Sequence, residues 1–305
     1  MVKSSAQLKI RRAKHHLNTF NAECRKFFRG QPYTLSEEHD SQQGVVRCFV
    51  RLDKEPPARF GPILGDFFNN LRSALDYVVT DLTLHTKGRR LTGTGWPVVS
   101  DANNWETYER KSGRLARTCG LYKVRGVGPP EALAAIEGLQ PYVAGDRAEY
   151  HLFSVLHDLT NRDKHHAPNL GVVDAGLAIL SRPGPPSFTI MGTDVGVLEK
   201  GQTTLLHTHP LDTWEVGMKV YPTLGISLTE EVPASAMLWV PPQERRFNAI
   251  LGDARSDTLL DWLLYSVVEA VSLLEPFLNQ VGIPSRIAVF PIISAPAWRG
   301  SRIVG

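Results

Sequence analysis

The segment from His151 to His166 holds four of the ten histidines and ends in the run Asn161-Arg-Asp-Lys-His-His166. At helical spacing, His151, Ser154, Asp158, Asn161, Arg162 and His165 share one stripe, which places Asp158 to pair with Arg162 and Asn161 with His165. An imidazole that titrates near neutral pH, set beside cations that hold a phosphate, is the equipment of metal-free RNA cleavage. In that chemistry His165 takes the 2′-hydroxyl proton, while Lys164 and Arg162 stabilise the charge building on the phosphorus oxygens. The same residues also fit a plainer role: Lys164, His165 and His166 complement a helix dipole and cap its last carbonyls. A second polar set, Asp66, Asn69, Asn70, Arg72, Ser73 and Asp76, lies in the stretch Gly65–Leu82. These are short, hydrogen-bonding groups where a merely solvated surface would carry Lys and Glu. Arg72 and Asp76 are spaced to pair. The expectation is that they approach the Asn161–His165 end to make one cluster, either a buried network that fixes helix docking or a catalytic site.

Two further motifs concern metals. His157-Asp158 is the doublet used by metal-dependent phosphohydrolases, with His85 and Asp253 or Asp257 as the further ligands it would need. His207-Thr-His209 has the H-x-H form of cupin metal sites, with Glu215 a few residues on, but no histidine follows His209. The better reading is a solvent-facing pair beside Pro210, so neither a metal nor a cofactor is expected. There is no phosphate-binding glycine loop, G-x-S-x-G or C-x-x-C, which excludes P-loop NTPases, serine hydrolases and dithiol redox enzymes. Cys24, Cys48 and Cys119 are odd in number and scattered, and read as reduced, buried thiols of a cytoplasmic protein.

The elements that must position these groups follow from periodicity. Phe67, Phe68, Leu71, Leu75, Val78, Val79 and Leu82 fall on one stripe of a helix through Gly65–Leu82. Leu152, Val155, Leu156 and Leu159 give the matching face of a helix over Ala148–His166. Ser5–Arg29 is an amphipathic helix with Ile10, Ala13, Leu17, Phe20, Cys24 and Phe27 inward and Lys9, Arg12 and His16 on another face. Trp105–Lys123 reads as helical with Arg110, Arg114 and Arg117 on one side, and Pro130 opens a short helix to Leu139. Val45–Leu52 alternates as a strand. From Gly171 to about Val240 the runs are short and β-rich: 177–180, 188–191, 195–198, 203–206, 214–221, 224–229 and 237–240. Asp257–Phe277 is apolar on nearly all sides and is expected to be the central buried helix, with a short strand at 287–290 after it.

The predicted fold class is therefore α+β. A helical bundle spans 1–169 with a short strand near 45–52, an antiparallel β insert spans 170–245, a final buried helix at 255–280 completes the bundle, and a tail covers 281–305. Asp261, Glu269 and Glu275 interrupt the most apolar helix and argue against a membrane span. The opening residues have no apolar core of signal-peptide length. A net charge of +3 does not by itself imply nucleic acid, but its distribution is uneven. Residues 1–30 set eight Lys and Arg against the single acid Glu23, and Arg110, Lys111, Arg114, Arg117, Lys123 and Arg125 form a second run. Arg12, Arg110, Arg114 and Arg117 are the candidates for nucleic-acid contact.

Taken together, Leu71-Arg-Ser-Ala-Leu-Asp76 and Asn161-Arg-Asp-Lys-His165 resemble paired signatures of a group of bacterial proteins similar to the HEPN helical superfamily. The resemblance covers about residues 5–169 and the last helix. It implies a helical scaffold, a homodimer and, in active members, metal-independent ribonuclease activity. Those nucleases place Arg and His four to six residues apart, whereas here two residues separate Arg162 from His165, and Tyr77 stands where a related signature has His. Arg11 and His16 have the spacing but sit in the first helix. The expectation is an RNA-binding protein that cleaves RNA without metal through His165, Lys164, Arg162, Asn161, Arg72 and Asp76. The alternatives are a non-catalytic module for a protein partner, of toxin–antitoxin or phage-defence type, and an HD-type metal phosphohydrolase.

Overall fold

The computed structural model describes residues 4–165, 171–181, 188–191, 196–228 and 258–279. Helix α1 (Ser5–Arg29) opens on Ser4, whose hydroxyl accepts the Gln7 amide at 3.2 Å, and ends at Gly30. Strands β1 (Tyr33–Asp40) and β2 (Val45–Leu52) form an antiparallel hairpin. Its turn is built by Asp40, whose Oδ1 accepts the amides of Gln42 and Gln43, and by Gly44 at φ 66°. Helix α2 (Phe60–Lys87) buries every residue of the predicted stripe from Phe67 to Leu82 and stops at Gly88 in the left-handed conformation. A long connection leads to α3 (Gly120–Lys123), α4 (Pro130–Gly138), a 3-10 segment over Pro141–Tyr150 and α5 (Leu152–His165).

Strands β3 (Gly171–Ser181), β4 (Phe188–Met191), β5 (Gly196–Val197), β6 (Thr203–Pro210) and β7 (Lys219–Leu228) follow, then α6 (Leu259–Asn279). The architecture is α+β. Helices α1, α5 and α6 pack on α2, and α6 also packs on α1 and α5. Leu71, Leu75, Leu156 and Leu159 are fully buried between them, each contributing about 2 kcal/mol of apolar burial. At one end of α6, Gln7 Nε2 donates to Glu275 Oε1 at 2.6 Å and ties it to α1; at the other, Thr258 and Asp261 cap each other. No helix among the described residues is long and apolar enough to cross a membrane.

The described residues form two antiparallel sheets. One has the order β1-β2-β6, so a strand of the β-rich segment joins the N-terminal hairpin; Cys48 faces His207 and Val46 faces His209 in register. The other is centred on β3, with β4 and β5 along one edge and β7 on the opposite edge.

Several sequence expectations are corrected. The segment 105–119 is not a helix: Tyr108 bridges Leu115, and the chain folds back so that Gly120 packs on the Trp105 ring. With Ser112 and Gly113 in the middle and no apolar stripe, a helix there would bury nothing. Residues 214–218 are not strand: Gly217 at φ 94° and the 3.0 Å bond from Met218 N to Glu215 O make a turn that leaves Val216 fully exposed. Helix α6 is not surrounded by core. One stripe from Leu260 to Leu274 is buried, while Trp262, Leu264 and Leu273 are half-buried and Tyr265 is exposed. His16 faces inward rather than along the basic face, and His209 is 7% exposed rather than solvent-facing. Strand β1 was not anticipated, because this edge strand is exposed along most of its length and shows little apolar alternation. The expected strands at 237–240 and 287–290 and the tail 281–305 lie outside the described residues.

Candidate functional site

On α2, the Leu71–Asp76 signature grips a backbone. Arg72 Nη2 donates to the carbonyl of Trp96 at 2.6 Å, and Asp76 Oδ1 accepts the Trp96 amide at 2.8 Å. The two side chains stand 3.5 Å apart, so one ion pair reads both polar groups of one residue. This seats the Trp96 ring, 1% exposed, against Phe153 of α5 at 5.3 Å between centroids. Glycine suits position 95, because a Cβ would stand 2.9 Å from Asp76 Oδ1 and push it from its bond. The polar face of α2 thus docks the loop that follows it, and through Trp96 it docks that loop onto α5. The expected meeting of Arg72 and Asp76 with the Asn161–His165 end is not what these bonds make. Their partner is the Trp96 backbone, for which the signal in the sequence is a tryptophan held between a glycine and a proline.

Helix α5 begins on buried His151, whose Nδ1 accepts the Phe153 amide at 3.2 Å as a cap. Burial pushes its pKa down to about 4, so the ring is neutral at physiological pH. At the polar end, exposed Asn161 reaches back to His157, with Nδ2 and Nε2 3.0 Å apart, and Arg162 is half-buried. Lys164 and His165 occupy the last backbone positions of α5; their side chains, and His166, lie outside the described residues.

Cations gather elsewhere. On α1, Arg11, Arg12, Lys14, His15, Arg25, Lys26 and Arg29 are exposed, and Lys9 lies over the Tyr77 ring at 5.8 Å. Beneath Arg12, His16 Nδ1 is 3.9 Å from Asp66 Oδ2 of α2. Burial lowers the His16 pKa, Asp66 opposes that, and Arg12 and His15 reinforce it. This His16–Asp66 pair was not foreseen; its signal was a histidine adjoining Leu17 on the buried face of α1. Arg110, Lys111, Arg114 and Arg117 are exposed on the excursion bridged by Tyr108 and Leu115. Backbone bonds brace it, from Glu109 N to Arg114 O at 2.8 Å and from Ala116 N to Thr107 O at 2.7 Å. None of these four cations is ion-paired among the described residues.

No group of three or more His, Cys, Asp and Glu is gathered for a metal among the described residues, which include His157, Asp158 and His85; Asp253 and Asp257 lie outside them. Comparison with protein-family models, with curated proteins and with solved structures finds no match to the chain.

Proposed function

We propose that this chain is a HEPN-like RNA-binding protein that cleaves RNA without metal, with Lys164 and His165 at the end of α5 as the reacting groups. The observation that carries the binding reading is the braced excursion at 107–116 with Arg117 just beyond it, which exposes four cations that no carboxylate neutralises among the described residues. Unpaired, exposed cations on a fixed backbone attract a polyanion without first breaking internal ion pairs. The exposed cations of α1 extend the same chemistry. In this reading Arg72 and Asp76 act as positioning residues, since their hydrogen bonds serve the Trp96 peptide and, through the Trp96–Phe153 contact, the placement of α5.

The test is incubation of purified protein with mixed RNA in EDTA, beside His165→Ala and a combined Arg110→Gln, Arg114→Gln, Arg117→Gln variant. The expected result is salt-sensitive retention lost in the arginine variant, and cleavage in EDTA lost in His165→Ala. Retention without cleavage leaves a binding protein. Cleavage only with added Mn²⁺ transfers the chemistry to His157-Asp158. Neither retention nor cleavage overturns the RNA reading and favours a module for a protein partner.

A further inference from the structure

The H-x-H pair on β6 has no part in the RNA reading. His207 and His209 lie on the same face of the first sheet, opposite Cys48 and Val46 of β2, with Glu37 of β1 next in register beyond Cys48. His209 is buried and His207 half-buried, and the Trp214 ring packs 5.6 Å from that of His209. His207 Nε2 is 3.5 Å from His209 Nδ1.

Thr213 supports the tautomer of His209 that a metal site needs. The Thr213 hydroxyl donates to the Pro210 carbonyl at 3.2 Å and lies 3.1 Å from His209 Nε2. With that proton on the Pro210 carbonyl, the oxygen accepts from His209 Nε2, the tautomer that leaves the lone pair of Nδ1 facing His207. A separation of 3.5 Å is long for an N–H···N bond. It is close to the distance of about 3.3 Å between two imidazole nitrogens on one tetrahedral zinc, each bound at about 2.05 Å.

We propose that His207 Nε2 and His209 Nδ1 form a two-nitrogen site for a borderline divalent cation of the zinc class, with solvent completing the coordination. Thr213 holds the outer nitrogen of His209, the arrangement that fixes tautomer and ring orientation in histidine-bound metals. Glu37 lies two strands away on the same face, with its carboxylate 3.9 Å from His39 Nε2. Because no third ligand stands gathered with the pair among the described residues, the site is open and exchangeable rather than closed and structural.

Zinc chloride is titrated calorimetrically into the full chain after EDTA treatment and desalting, with thermal melts alongside. One equivalent should bind and raise the melting temperature. His207→Gln, at the half-buried position, and His209→Ala should each weaken binding at least about tenfold, and Thr213→Val about tenfold through orientation alone. His207→Gln keeps the test decisive if His209→Ala does not fold. Absence of binding below about 100 µM zinc overturns the proposal, as does an equivalent of zinc that survives His207→Gln.

Discussion

Replacing Asp76 with alanine removes one half of the grip on Trp96. Its Oδ1 accepts the Trp96 amide at 2.8 Å and faces Arg72 at 3.5 Å. A hydrogen bond to a charged group is worth about 1.5–3 kcal/mol. The Asp76 side chain is 41% exposed, so solvent screening places the loss near the lower end, about 2 kcal/mol. Asp76→Asn keeps the acceptor oxygen and should cost about 1 kcal/mol. Arg72→Ala should cost about 2 kcal/mol, since Arg72 is 18% exposed and gives up its 2.6 Å bond to the Trp96 carbonyl. Both side chains hold the backbone of one residue, so the double variant should lose about 3 kcal/mol rather than the sum.

Gly95→Ala supplies the sharper test. Its Cβ would meet Asp76 Oδ1 at 2.9 Å, which should cost about 1–2 kcal/mol in the native background. In the Asp76→Ala background the opposing oxygen is gone, and the same substitution should be neutral or slightly stabilising, by up to about 0.5 kcal/mol. Urea unfolding followed by tryptophan fluorescence measures all six variants. An Asp76→Ala loss under about 0.5 kcal/mol, or a Gly95→Ala cost that is the same in both backgrounds, would refute the assignment.

Leu75→Ala, at a fully buried position on α2, should cost about 3 kcal/mol in the same assay. The buried His151 predicts a pH dependence. Its folded pKa lies near 4, so the unfolded chain gains a proton at about pH 6.5 that the native state refuses until about pH 4. Stability should therefore fall across that window, by up to about 3 kcal/mol, and be insensitive to this residue above it. His151→Asn retains an acceptor for the Phe153 amide and should flatten the slope; an unchanged slope in urea melts would assign it to other groups. For RNA, the triple arginine variant should reduce the slope of log affinity against log salt by about 2, which filter retention across a salt series reads directly.

What the sequence determined is what hydrophobic periodicity can encode locally. Phe67 to Leu82 had to bury one face of a long helix, and Leu156 and Leu159 had to find a similar partner, because an isolated helix is marginal until its apolar stripe is covered. Alternation marked β2 in the same way, and Pro130 with Gly88 marked where helices start and stop. The tertiary structure alone decided where the polar groups go. Arg72 and Asp76 read the backbone of a residue 24 and 20 positions away, and every residue has a backbone, so no side chain in the partner announces the contact. His16 and His209 illustrate the same limit: each follows a solvated residue in sequence and is buried by what packs over it, α2 for one and the Trp214 ring for the other. The basic run 110–117 failed as a helix because helical spacing of charges stabilises nothing without an apolar face to bury. Folding of the chain around Trp105 and Gly120 set those cations out in solvent instead.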